Sequence, residues 1–129
     1  MSTKDKSVWF CQLLAASILL YASFEKFSGD LESLEIFTKL GMEPVGRYII
    51  ATIEFLSSMA LLTTSFSAVG ALFGIGTMLG AMIAHVTTLG MVMNNDNGVH
   101  VMMLFLVLAS CTVTLWTRRK TLPIIGPTL

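Results

Sequence analysis

The 129 residues are 54% hydrophobic and only 12% charged, and equal numbers of basic and acidic side chains leave no net charge. Soluble domains average about 25% charged residues, so the composition excludes an ordinary soluble domain and favours an integral membrane protein. A chain without excess positive charge also gives no indication of nucleic-acid binding. The length predicts a single domain covering residues 1–129.

Four apolar segments, at about residues 8–25, 46–64, 66–90 and 99–117, are candidates to cross a bilayer. The hydrocarbon core of a bilayer is about 30 Å thick and takes about 20 helical residues to span. Backbone groups in lipid must be hydrogen-bonded within the segment, so each segment is expected to be helical. We therefore predict an all-α fold, an integral membrane four-helix bundle.

The longest connection, between the first and second spans, has a helical pattern of its own. Apolar residues recur at helical spacing from Leu31 to Leu40, and acidic residues occupy the other faces. This pattern predicts a short amphipathic helix on the outer membrane surface. Gly41 is suited to end this helix, and Pro44 is suited to the start of the second span.

The basic residues predict the orientation in the membrane. With four spans, five basic residues lie on the side of the termini and three on the opposite side. The first group is Lys4, Lys6, Arg118, Arg119 and Lys120, and the second is Lys26, Lys39 and Arg47. The positive-inside rule then places both termini in the cytoplasm.

The third span contains two pairs of glycines at four-residue spacing, Gly70 with Gly74 and Gly76 with Gly80. Small residues at this spacing allow membrane helices to approach closely. The glycines predict either close packing within the bundle or a homodimer interface.

The two cysteines, Cys11 and Cys111, form neither a CxxC motif nor a zinc-binding spacing. We expect both to be small apolar residues in the interior. Both map to the cytoplasmic half of their spans, where thiols stay reduced, which disfavours a thiol–disulfide function.

Polar residues inside the apolar segments are the main functional signal. Glu54 lies within the second span, where a carboxylate is costly unless it is paired, protonated or facing a polar cavity. His85 lies in the third span, Glu25 and Lys26 end the first, and His100 begins the fourth. All five map to the outer half of the membrane, and we expect them to converge on one ligand or proton pocket.

Three interpretations of this pocket remain open. The cluster can serve only to fix helix packing. Glu54 and His85 can instead bind a ligand such as a quinone, or relay protons, since histidine titrates near neutral pH. A copper site formed by His85, His100, Met91 and Met93 is the third, because thioethers and imidazole suit Cu(I); methionine is also an ordinary filler of apolar cores, and no metal is favoured.

The order of several short motifs resembles the DoxX family of small bacterial membrane proteins. They are FEKF at residues 24–27, KLGMEP at 39–44, Glu54, GAL at 70–72, the segment 78–85, LG at 89–90 and NDNG at 95–98. Together they extend over about Val8 to Lys120. The resemblance implies a four-helix protein of the bacterial inner (plasma) membrane, in which Lys26, Glu54 and His85 match the polar positions of the family.

The resemblance also implies a function, because the family is associated with a terminal quinol oxidase, with thiosulfate–quinone chemistry, with oxidative-stress complexes and with the maturation of redox enzymes. We therefore expect an accessory component of a quinone-linked membrane redox system, without activity of its own. A quinone is the candidate cofactor, and other membrane redox subunits are the candidate partners. The alternatives are a small-molecule or proton-coupled transporter and a structural membrane partner.

Overall fold

A computed structural model describes residues 2–90 and 98–129, and every regular element in these two ranges is helical. The main helices are α1 (Thr3–Ser28), α2 (Leu31–Lys39), α3 (Val45–Leu61), α4 (Ser67–Ala84) and α5 (Val99–Arg118). A π-helical turn, His85–Leu89, continues α4, and two short 3-10 turns follow α5. The predicted all-α class is confirmed over the described residues.

Within those two ranges, three helical segments are long and apolar enough to cross a membrane. They are Thr3–Ser28, Ser67–Leu89 and Val99–Thr121, and they coincide with the first, third and fourth predicted spans. The second predicted span corresponds to α3, which has 17 residues and falls outside this group. The structure therefore supports a membrane protein, with three of its helices meeting the criterion for a span.

A sharp turn sets the direction of α2. Gly29 ends α1 in the left-handed conformation, with φ of 69°, which glycine adopts at little steric cost. The next residue, Asp30, caps α2 by accepting a hydrogen bond from a backbone N–H of its first turn. Leu40 is the C-cap of α2, and Gly41, which was expected to end this helix, follows it with φ of 71°.

The long helices α1, α3, α4 and α5 form a ring of contacts. In this ring α1 packs against α3 and α5, and α4 packs against the same two helices. Helix α2 contacts α1, α3 and the π-helical turn. It therefore lies at the end of the ring where α1 ends and α3 begins.

Apolar side chains fill the interior and also cover the perimeter. The buried core includes Leu19, Leu61, Val107 and Cys111, while Cys11 is half-buried and both cysteines are free. Large apolar side chains exposed on the outside include Phe10, Phe24, Ile49, Phe73, Ile83 and Trp116. An apolar perimeter of this kind is consistent with contact with the lipid bilayer.

The two glycine pairs of α4 have different surroundings. A Cβ on Gly70 would lie 2.8 Å from a backbone carbonyl oxygen of α3, and one on Gly74 would lie 2.8 Å from the Cys111 sulfur. The first pair is therefore used for close packing within the fold. A Cβ on Gly76 or Gly80 would meet nothing within 4 Å, and a homodimer through this second pair stays a prediction.

A buried glutamine joins the ends of three helices. The side-chain amide of Gln12 donates to the carbonyl oxygens of Leu61 at 2.8 Å and Thr63 at 3.2 Å. Its carbonyl oxygen accepts from Arg118 Nε at 3.2 Å, and Arg118 also lies 3.8 Å from the Asp5 carboxylate. The start of α1 and the end of α5 therefore lie at the same end of the molecule.

Candidate functional site

A cavity of about 630 Å³ lies toward the other end of the ring, below α2. Ligand sites for small molecules usually occupy about 300–1,000 Å³ and are mostly apolar with a few polar groups. Helices α1 to α5 all contribute to the lining of this cavity, which is largely aliphatic and aromatic. The polar side chains predicted from the sequence are all part of it: Glu25, Lys26, Glu54, His85 and His100.

An ion pair between α1 and α3 forms one part of the wall. Lys26 Nζ lies 2.8 Å from Glu54 Oε1, and the two side chains are 17% and 2% exposed. Neither carboxylate oxygen has a well-directed hydrogen-bond donor among residues 2–90 and 98–129. For Oε1 the close ammonium still neutralises the charge, whereas Oε2 has no donor at all among these residues. A buried carboxylate oxygen without a donor is costly.

The partner of Glu54 was left open by the sequence, which allowed either Lys26 or His85. In the structure the partner of Glu54 is Lys26, because the last turns of α1 pack against the middle of α3. His85 is engaged elsewhere.

His85 is buried at the start of the π-helical turn, and its ring is held by the backbone of the same turn. Its Nδ1 lies 2.7 Å from the Gly90 carbonyl oxygen, and the Gly90 N–H donates to the His85 carbonyl at 2.8 Å. A carbonyl oxygen can only accept, so Nδ1 carries the proton. In the neutral imidazole, Nε2 is then an acceptor and is the ring nitrogen left for another partner.

Arg47 positions the ion pair and was missed as a site residue. It is buried in the first turn of α3, its Nε bonds both carboxylate oxygens of Glu43 at 2.9 and 3.0 Å, and its guanidinium carbon lies 4.4 Å from the Tyr48 ring centre. One terminal nitrogen donates to the backbone carbonyl of Lys26. A cation at this place satisfies the carboxyl end of α1 and so orients the residue that contacts Glu54. The Glu–Arg pair at four-residue spacing was the signal in the sequence.

His100 and a cluster of three acidic residues lie near α2. The His100 ring centre is 5.4 Å from that of His85, and His100 Nδ1 is 3.4 Å from a Glu32 carboxylate oxygen. Glu25, Asp30 and Glu32 place one oxygen each within 4.8 Å of one another. Partly exposed acidic groups often cluster without binding a metal, and two members of this cluster, Glu25 and Glu32, line the cavity.

The structure describes only two of the four residues of the hypothetical copper site, His85 and His100. Met91 and Met93 lie outside the described residues. Of the two histidines, each already uses Nδ1, His85 toward Gly90 and His100 toward Glu32. Both Nδ1 atoms therefore have contacts within the described residues, and copper stays a hypothesis.

The cavity extends to the apolar perimeter along α4. Phe73 and Ile83 line it and are also 56% and 64% exposed. Gly76 and Gly80, on the same helix, belong to the lining as well. The cavity therefore borders the exposed apolar surface of α4.

Comparison of the chain with models of known protein families, with curated proteins and with solved structures finds no match. The resemblance to the DoxX family therefore remains a prediction from the residue pattern.

Proposed function

We propose that this chain is a four-helix membrane protein that binds a small amphipathic molecule of the quinone class. In this proposal it is an accessory component of a quinone-linked redox system, and a partner subunit carries the electron transfer. The observation that carries the proposal is the apolar cavity of about 630 Å³ with the buried Lys26–Glu54 pair in its wall. A quinone has an apolar ring and tail and two polar oxygens, which match these two properties of the cavity.

The contacts of α3 support a fourth span. Arg47, in its first turn, bonds the Lys26 carbonyl near the end of α1, and its last residue, Leu61, accepts from Gln12 near the start of α1. Helix α3 therefore runs antiparallel to α1 along residues 12–26, a rise of about 21 Å at about 1.5 Å per residue. If α1 crosses the bilayer, α3 crosses the same layer, and α2 lies at the outer surface.

The basic residues support an orientation with both termini in the cytoplasm of a bacterial cell. Arg118 is the last residue of α5, and Arg119 and Lys120 follow it directly, at the end that also holds the start of α1. Trp116 is exposed there, and the Arg119 guanidinium lies 4.2 Å from its ring centre. Interfacial tryptophan with arginine and lysine is typical of the cytoplasmic boundary. The cavity then lies in the outer half of the plasma membrane.

Equilibrium binding to the protein in lipid nanodiscs tests the proposal. A short-tailed quinone and its hydroquinone should each be titrated, and wild type should bind at least one of them at one molecule per chain. Gly80→Leu places an isobutyl group where nothing lies within 4 Å of the Cβ, and it should weaken binding about tenfold or more by filling the cavity. Ala109→Leu, on the exposed face of α5, is the matched control and should bind as wild type does.

Two results would remove this proposal. One is the absence of saturable binding of either form to folded wild-type protein. The other is a Gly80→Leu variant that binds as tightly as wild type, since the ligand would then occupy some other part of the surface.

A purely structural role is the second candidate, and the same Lys26–Glu54 pair favours it because the pair joins α1 to α3. In that case Glu54→Gln combined with His85→Asn should lower the thermal stability in detergent and leave cellular function intact. Unchanged stability with lost function would exclude the structural role.

A further inference from the structure

We infer that the cavity selects the reduced, hydroxyl-bearing form of its ligand, a hydroquinone, over the oxidised quinone. This inference rests on the proposed function and adds the redox form of the bound molecule. It follows from two hydrogen-bond acceptors in the wall of the cavity, the Glu54 carboxylate and His85 Nε2.

The first acceptor is the free carboxylate oxygen of Glu54. The side chain is 2% exposed and lines the cavity, and Oε1 already faces the Lys26 ammonium at 2.8 Å. Oε2 has no donor among the residues that the structure describes. A ligand hydroxyl at this place supplies the missing donor, and a hydrogen bond to a charged acceptor is stronger than one between neutral groups.

The second acceptor is His85 Nε2. Because Nδ1 donates to the Gly90 carbonyl, the neutral ring offers a lone pair on Nε2 and no second N–H. His85 is part of the cavity lining. A ligand that meets this nitrogen therefore bonds best through a hydroxyl or amine group.

The charges of the lining act in the same direction. Over residues 2–90 and 98–129, the lining includes three carboxylates, Glu25, Glu32 and Glu54, and one ammonium group, Lys26. Carboxylates accept hydrogen bonds and repel the lone pairs of a carbonyl oxygen. The field at the polar end of the cavity therefore favours a ligand that donates.

The two redox forms differ in how many of these groups they satisfy. Quinone oxygens only accept, so they can bond Lys26 and must leave Glu54 Oε2 and His85 Nε2 without a donor. Each hydroquinone hydroxyl both donates and accepts, so the reduced form can bond either acceptor and still accept from Lys26. One additional hydrogen bond to a charged group corresponds to a difference of about 10- to 100-fold in affinity.

The experiment compares three ligands with the same ring and short tail: the hydroquinone, the quinone and the dimethyl ether of the hydroquinone. The titrations use the full-length protein in nanodiscs under anaerobic conditions, so that the hydroquinone stays reduced. We expect the hydroquinone to bind about tenfold or more tightly than the quinone and the ether. The ether has the shape of the reduced form without its donors and so separates hydrogen bonding from fit.

A variant tests the role of the carboxylate. Glu54→Gln replaces one acceptor oxygen by an amide that can donate to a quinone carbonyl, so the preference for the hydroquinone should shrink or reverse. Glu35→Gln is the matched control, because Glu35 is an exposed carboxylate paired with Lys39 at 3.5 Å and does not line the cavity. It should keep the wild-type preference.

The outcomes separate this inference from the proposed function. Wild-type protein that binds the quinone or the ether as tightly as the hydroquinone overturns the inference and leaves the proposed function standing. Absence of binding for all three ligands removes both. If Glu54→Gln does not fold, the three titrations of wild type still decide.

Discussion

Gly70→Ala tests the closest approach of two helices in this fold. A Cβ at this position would lie 2.8 Å from the Ser57 carbonyl oxygen, 3.0 Å from the Leu61 nitrogen and 2.8 Å from the Ala60 Cβ. Two of these atoms are backbone, so relief requires α3 and α4 to separate. Overpacking of this kind costs about 2–3 kcal/mol, and the better helix propensity of alanine offsets about 1 kcal/mol. We expect a net loss of about 1–2 kcal/mol in the free energy of unfolding.

Gly76→Ala is the matched control on the same helix. A Cβ there meets nothing within 4 Å, so only helix propensity acts and the variant should gain up to about 1 kcal/mol. The two variants should therefore differ by about 2–3 kcal/mol, with Gly70→Ala the less stable.

Unfolding of both variants in mixed detergent micelles, with increasing mole fraction of sodium dodecyl sulfate, measures this difference. Helical circular dichroism and tryptophan fluorescence should report the same transition. Equal stability of the two variants, or a more stable Gly70→Ala, would refute the close contact between α3 and α4.

Three further predictions concern residues that do not line the cavity. Gln12→Leu leaves two carbonyls and an arginine without their partner and should cost about 1–3 kcal/mol of stability, measured in the same unfolding assay, while ligand affinity is unchanged because Gln12 lies at the end opposite the cavity. Arg47→Leu removes the bond to the carboxyl end of α1 and should lower both the stability and the ligand affinity. The control is Arg119→Leu, whose contacts are local to the end of α5 and which should keep the wild-type affinity. Equal losses of affinity in the two variants would contradict a role of Arg47 in positioning the Lys26–Glu54 pair. Cys111, which is fully buried, should react with a maleimide only after denaturation, as followed by mass spectrometry, and rapid labelling of the folded protein would contradict the packing of α5.

Much of the helical architecture was predictable because lipid imposes a simple pattern on the sequence. Uninterrupted apolar segments indicated the helices now seen as α1, α4 and α5, and the periodicity after residue 30 indicated α2. The residues at which the helices begin and end were harder to predict from the sequence. Helix α1 begins at Thr3, five residues before the predicted span, because Ser2 caps a helix whose first turn is polar. Hydropathy reports only the part of a helix that lies in lipid.

The site was predictable as a set of residues and not as a set of contacts. Glu54 and His85 stood out because ionisable groups are rare in apolar spans. The choice of Lys26 as the partner of Glu54 depends on the rotation of α1 against α3, which a period of 3.6 residues does not specify. Arg47 was counted only as a positive charge near the membrane boundary, and its burial against the end of α1 depends on that same packing.

Photoaffinity labelling with a short-tailed azidoquinone tests the central claim most directly, because it reports where the ligand lies. The protein in nanodiscs should be labelled once with the reduced and once with the oxidised form of the probe, and the labelled residues should be identified by mass spectrometry. We expect saturable adducts on the lining of the cavity, at residues such as Ile53, Met78 and Met103, which excess hydroquinone prevents. Adducts confined to outward-facing residues such as Phe105 and Val113 would contradict a ligand site at the Lys26–Glu54 pair. Labelling that persists undiminished in the presence of excess hydroquinone would contradict it as well.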